Sequence, residues 1–201
     1  MAPIPLSLLP DSAEISPTGR LGIGGCDVLE LAADFGTPLF VYDEGHLRAR
    51  AREALAAFGA GHVIYATKAF LCLAMARLAH EEGLLLDVAT GGEMHVALAA
   101  GVPADRLVVH GNNKSLEELA GALTAGVHHL VIDSFDELDR LDLLHAEGLP
   151  VPRVQLRITP GIEAHTHEYV RTGQADSKFG FGLAEGIADA AVARAAASPA
   201  V

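Results

Sequence analysis

Cationic side chains are scarce in this chain: 14 Lys and Arg stand against 26 Asp and Glu in 201 residues, a formal net charge of −12. An acid excess of this size disfavours an extended phosphate backbone, so nucleic acid is not an expected partner. Cysteine is nearly absent. Cys26 and Cys72 alone supply neither a disulfide framework nor a metal cluster, and a cysteine in an apolar run, as at Cys72, behaves as a small hydrophobe. No apolar stretch reaches the ~18 residues of a spanning helix, and the acidic first 15 residues lack the basic segment of a secretory leader. The expectation is a soluble, cytoplasmic protein with no membrane partner. With half its residues hydrophobic, the chain has the means to build one sizeable core.

Two regimes divide the chain. Residues 1–36 carry Pro3, Pro5, Pro10 and Pro17 and then the glycines of Leu21–Gly25, a composition that opposes helix and reads as an irregular arm. From residue 37 to residue 201, short β-branched or leucine-rich runs alternate with alanine-rich helical patterns. The runs are Val63–Thr67, Leu84–Val88, Leu107–His110, His129–Asp133 and Val154–Ile158, and their starts recur every 21 to 25 residues. That interval holds one strand and one helix.

The segments between the runs carry helix punctuation. Leu47, Ala51, Ala54, Leu55 and Phe58 share one helical face, and Ser115 with Glu118 and Ser134 with Glu137 have capping-box spacing. Gly83, Gly101, Gly126 and Gly148 stand where helices would end. Strands joined through single helices pair in parallel by right-handed crossovers. The class is therefore α/β, and the even unit length without a long switch connection favours a (β/α) barrel over a doubly wound sheet. No Gly-x-Gly-x-x-Gly follows the first strand, which weakens a dinucleotide-binding reading.

In such a fold the reactive groups belong at the C-terminal strand ends, where the sequence places Lys68, Asp87, Thr90, His110, Asn112, Asp133 and Arg157. Lys68 is the one charged residue between Val63 and Ala76. A desolvated ammonium is costly unless paired or used for chemistry, so Lys68 is a candidate Schiff-base nucleophile, against the alternative of a lysine snorkelling from a strand end. Arg157, inside an apolar run, needs an acidic partner or a bound anion. Glu163, His165, His167 and Glu168 alternate in the manner of metal ligands, but no further ligand set accompanies them and no metal is expected. His128 and His129 read as turn and sheet-edge packing. Ser177 has histidines nearby but lacks a nucleophile elbow.

Several motifs in fixed order resemble one family. They are Gly36–Tyr42, Tyr65-Ala-Thr-Lys-Ala-Phe70, Leu86-Asp-Val-Ala-Thr-Gly-Gly-Glu93, His110-Gly-Asn-Asn-Lys-Ser115, Leu156-Arg-Ile158, Pro160–His167, and Thr172-Gly173 with Ser177-Lys-Phe-Gly180. The chain resembles the pyridoxal-phosphate-dependent decarboxylases of the alanine-racemase-like barrel type (fold type III), which act on ornithine, diaminopimelate or arginine. Within them it is similar to the diaminopimelate branch. The resemblance implies an alanine-racemase-like (β/α)8 TIM barrel, pyridoxal 5'-phosphate as cofactor, and decarboxylation of meso-2,6-diaminopimelate to L-lysine and carbon dioxide. It implies Lys68 as the lysine that holds the cofactor, with Asp87, Glu93, His110 and Arg157 near it.

The same resemblance implies a longer protein. About five of eight barrel strands are visible, and the family's ring-stacking histidine, glycine-rich phosphate loop and Cys-Glu-Ser-Gly-Asp segment have no counterpart. The chain is expected to be an N-terminal portion, inactive alone and a homodimer when complete, with residues 1–36 belonging to a β domain. The competing readings are a sister ornithine, arginine or carboxynorspermidine decarboxylase, a non-catalytic pyridoxal-phosphate protein, or an inactive remnant.

Overall fold

The computed structural model describes residues 5–161, 179–183 and 186–201. The chain forms two compact units, Met1–Val63 and Ile64–Val201, where composition alone put the change of regime at residue 36.

In the first unit a small antiparallel sheet joins β1 (Glu14–Ile15), β2 (Leu21–Ile23) and β3 (Cys26–Asp27), followed by helices α1 (Val28–Phe35) and α2 (Glu44–Phe58). Helix α1 corrects the reading of residues 1–36 as non-helical throughout. Prolines and glycines prevail only as far as Gly25, and Asp27 then caps a good helix-forming run by accepting from the Leu29 and Glu30 amides at 2.8 and 3.3 Å. Asp43 caps α2 in the same way through His46 N at 3.0 Å. Of the face expected on α2, Leu47, Ala51, Ala54 and Leu55 are half-buried, whereas Phe58 is exposed.

The second unit contains the parallel sheet. Strands β4 (Ile64–Ala66), β5 (Leu85–Val88), β6 (Leu107–His110), β7 (His129–Ile132) and β8 (Val154–Leu156) lie side by side in sequence order, all parallel. Helices α3 (Leu73–Glu81), α4 (Gly91–Ala99), α5 (Leu116–Ala125) and α6 (Phe135–Ala146) fill the crossovers. Sequential order with right-handed crossovers puts every helix on one face, as in a barrel, whereas a doubly wound sheet would reverse its order. All five expected runs became strands, and Gly83, Gly101, Gly126 and Gly148 end the four helices with φ between 73° and 90°.

Register separates the two faces of the sheet, because partners across a parallel ladder point the same way. Leu86 pairs with Leu107, and Leu130 with Val154. With Val88 and Ile132 these residues form the helix-facing layer, where Leu86, Val88, Leu107, Leu130 and Ile132 are fully buried. Ala76, Ala79, Ala97, Leu119 and Leu138 close over them from the helices. The opposite face carries Asp87 beside Val108, Val108 beside His129, His110 beside Val131, and Val131 beside Gln155. Its polar groups increase towards the C-terminal edge.

Strand β9 (Ile158–Thr159) pairs in parallel with β10 (Phe181–Gly182), ahead of α7 (Ile187–Ala197). Strand β10 was not legible in the sequence: two residues give no alternation to read. Arg157 is the point of transfer, because its N–H bonds Ile132 O on β7 at 2.9 Å while its carbonyl accepts from Phe181 N at 2.8 Å. Among the described residues no helix is long and apolar enough to cross a membrane.

Three successive strand-to-helix turns read Thr90-Gly-Gly-Glu93, Ser115-Leu-Glu-Glu118 and Ser134-Phe-Asp-Glu137. Only α5 has the full capping box, Ser115 Oγ accepting from Glu118 N and Glu118 Oε2 from Ser115 N. At α4 and α6 the hydroxyl caps as expected, but the glutamate reaches one residue further back, to Ala89 N at 2.6 Å and Asp133 N at 2.8 Å. The expected capping box at Ser134 and Glu137 is thus only half formed, since Glu137 turns inward instead.

Glu118 also accepts from Gly91 N at 2.8 Å and so joins the starts of α4 and α5. That bond, with those from Ser115, holds its carboxyl below the usual glutamate range. A depressed folded pKa stabilises the fold fully above the unfolded value of about 4.3, and the contribution is lost as pH falls through the lower folded value. Urea denaturation as a function of pH should therefore show Glu118→Gln less stable than the native chain at pH 7 and with a shallower loss of stability below about pH 4.3. Parallel profiles for the two proteins would contradict this role.

Candidate active site

Thr67, buried at the end of β4, donates from its hydroxyl to Asp87 O on β5 at 2.7 Å. This bond fixes the short turn Thr67–Ala69 and sets Lys68 at the C-terminal mouth of the sheet. Lys68 is exposed there, not embedded in the strand as its apolar neighbours suggested, because the chain leaves β4 before reaching it. It has no ion-pair or hydrogen-bond partner among the described residues.

Lys68 opens on a cleft of about 140 Å³ that is also lined by Asp87, Glu93, His110, Asn112, Arg157 and Phe179. Asp87 Oδ2 stands 3.2 Å from His110 Nδ1. A carboxylate at that position fixes a proton on Nδ1 and orients the ring. His110 Nε2 is buried and has no partner among the described residues. Glu93 lines the cleft, but one of its oxygens is committed to Ala89 N.

The opposite wall is cationic. Arg157 Nη1 meets Asp133 Oδ1 at 3.1 Å, and its guanidinium carbon stands 4.4 Å from the centre of the Phe179 ring. Asp133, almost wholly buried, also accepts from Gly180 N at 2.9 Å. The partner that the sequence required for Arg157 is therefore Asp133. Phe179 stands in the motif Ser177-Lys-Phe-Gly180, but nothing in the sequence placed it in the site, since the pairing of β10 that brings it there has no signal of its own.

Below this level His129 begins the interior strand β7 on the same face. It is buried, not at a sheet edge, which corrects the reading from its position before a strand. Burial, and then the neighbouring His128, hold it below the usual histidine range, so it is neutral near pH 7. Its Nδ1 lies 2.6 Å from that of His128. Glu163, His165, His167, Glu168 and Ser177 lie outside the described residues, as does most of the motif from Pro160 to Gly180. No group of three potential metal ligands occurs among the described residues.

Two glycines are required by this packing. A Cβ on Gly111 would lie 2.7 Å from Ala89 O, so the two rim turns touch through backbone. Gly180 has φ +67° and a Cβ there would lie 2.5 Å from Arg157 O.

Comparison with known proteins adds three findings. Residues 44–200, from the first residue of α2 onwards, match the family model described as pyridoxal-dependent decarboxylase, pyridoxal binding domain. The diaminopimelate decarboxylase of Mycobacterium tuberculosis (strain ATCC 25618 / H37Rv) is 52% identical over 177 residues, covering 88% of this chain and 40% of that protein. The one from Bacillus subtilis (strain 168) is 52% identical over 178 residues, covering 87% and 40%. The crystal structure of diaminopimelate decarboxylase from M. jannaschii with L-lysine superposes with TM-score 0.81 at 33% identity, over 95% of this chain and 46% of that one. The chain thus spans about 40% of the length of the curated relatives it matches.

Gly180→Ala should destabilise the second unit by about 2–4 kcal/mol, combining left-handed strain with overpacking against Arg157 O. Chemical denaturation measures this. A loss below about 0.5 kcal/mol, the range of neutral surface changes, would show that the Phe179–Gly180 turn does not clamp Arg157.

Proposed function

The chain belongs to the pyridoxal-dependent decarboxylase family through that family's pyridoxal-binding domain, and from this premise we propose that it is the cofactor-holding portion of a carboxy-lyase converting meso-2,6-diaminopimelate to L-lysine and carbon dioxide. The observation that carries the reading is the convergence of Lys68, Asp87, His110 and Arg157 on one cleft at the C-terminal end of a parallel sheet. The substrate is supported by relatives at 52% identity that are named diaminopimelate decarboxylase, and by a similar structure crystallised with L-lysine, the amino acid this reaction releases.

The side chains fit pyridoxal 5'-phosphate. Lys68 presents an amine with no protein partner among the described residues, and the buried His110 Nε2 still needs one. Arg157 adds a fixed cation. When bound, the cofactor supplies an aldehyde reactive towards primary amines and a ring that accepts the electron pair of a breaking bond.

In this reading Lys68 is the attachment point, placed at the mouth where a substrate amine can exchange with it. Asp87 holds His110 in one orientation, and the partnerless Nε2 would be one of the groups that hold the cofactor. Arg157, immobilised by Asp133 and Phe179, offers a cation whose position does not have to be reorganised during the reaction. Glu93 lines the same cleft while securing the start of α4. The reading also assigns residues 1–36 to a β domain of the complete enzyme, and places that enzyme in the cytoplasm as a homodimer. The two free cysteines, Cys26 and Cys72, agree with a reducing compartment.

Borohydride treatment of the protein loaded with pyridoxal phosphate, followed by peptide mapping, should leave a pyridoxyl label on Lys68. Lys68→Ala should lose the label and, in the full enzyme, lysine formation from meso-diaminopimelate should fall by at least about a thousandfold, as expected on removal of a covalent catalyst. A label on Lys114 or Lys178 would overturn the assignment.

A further inference from the structure

Behind the cleft, Lys114 and Glu137 form an ion pair at 2.9 Å, with side-chain exposures of only 1% and 2%. A buried pair of this kind is costly to assemble, so its placement calls for an explanation beyond stability. The Lys114 ammonium donates to Gly111 O at 2.6 Å and to Val131 O at 2.7 Å, tying the β6–α5 turn to β7. The other oxygen of Glu137 accepts from Asp133 N at 2.8 Å. Asp133 in turn holds Arg157 and the Gly180 amide through its two carboxylate oxygens. One continuous set of bonds therefore runs from the turn after His110 to the guanidinium on the opposite wall. Nothing in this set faces the cleft except its two ends.

We infer that Lys114 and Glu137 are positioning residues that set the spacing between the two polar walls of the cleft, the turn following His110 on one side and Asp133 with Arg157 on the other. The inference rests on the proposed cofactor site for its meaning, but its geometry stands apart from it. Glu137 is suited to the task because it has two oxygens, one for the ammonium and one for the Asp133 amide. A glutamine has a single oxygen and serves only one of the two.

The test uses Lys114→Met/Glu137→Met, which removes both charges together, leaves neither stranded and takes away the oxygen that holds the Asp133 amide, with Lys114→Met/Glu137→Gln, which keeps one oxygen for that amide, as the second variant should the first fail to fold. Amide hydrogen exchange, read on native protein, should accelerate by about tenfold or more at Asp133, Gly180 and residues 110–113, while amides of α3 and α4 keep their native protection. Affinity for pyridoxal phosphate, measured by absorbance titration, should fall by about tenfold. Unchanged exchange at the rim would overturn the inference. So would equal acceleration at every amide, which is the signature of a merely stabilising pair. Failure of the full enzyme to bind pyridoxal phosphate would count against the proposed function, and the exchange pattern would still decide the role of the pair.

Discussion

The parallel register of β5 to β8 is the constraint on which the rest of the structure depends. Once Asp87, Val108 and His129 lie abreast, every second residue towards the C-terminal end is committed to the same face. His110, Asp133 and Arg157 follow as a consequence, and so does the leucine-rich layer that meets the helices. A slip of one residue would bury the carboxylates against α3 to α6 and turn Leu86 and Leu130 to the open face. The apolar layer and the polar cleft are thus two results of one alignment.

That alignment has to be closed off where the strands end, because the first turn of each helix leaves backbone N–H groups without partners. Thr90, Ser115 and Ser134 meet this need with hydroxyls, and Glu93, Glu118 and Glu137 with carboxylates. The three glutamates start from equivalent positions and diverge. Glu118 spans two helix starts near the surface, Glu93 secures the turn beside the cleft, and Glu137 is drawn inward by Lys114. The caps that end the strands also build the wall of the site.

Much of this was legible from the sequence, for identifiable reasons. Runs such as Leu107–His110 and His129–Asp133 are apolar, β-branched and bounded by helix punctuation, so their existence and order could be read. Lys68, Asp87, His110 and Arg157 follow from where those runs stop. What could not be read depended on non-local contacts. Strand β10 is two residues long, and Phe179 enters the cleft only because β10 pairs with β9. The orientation of Glu137 is likewise hidden, since capping-box spacing is the same whether the side chain turns to the helix start or to a buried lysine 23 residues earlier. Helix α1 was missed for a simpler reason: an average over residues 1–36 lets the prolines and glycines outweigh the run that Asp27 caps.

The contrast between two lysines shows how environment assigns chemistry to a residue type. Lys114 belongs to a motif as distinctive as that of Lys68, and each lies within a few residues of a strand's C-terminal end. Lys114 is shut away from solvent, with two backbone carbonyls and a carboxylate around its ammonium. A substrate or cofactor would have to break those contacts and leave Glu137 buried without a countercharge to reach it. Lys68 has none of these ties among the described residues and stands at the open mouth of the cleft. The covalent exchange proposed for Lys68 needs an amine that can be approached, freed and approached again, and a fixed site needs a cation that never moves. The fold separates these demands by placing one lysine just beyond a strand end and the other beneath the turn that follows the next strand but one.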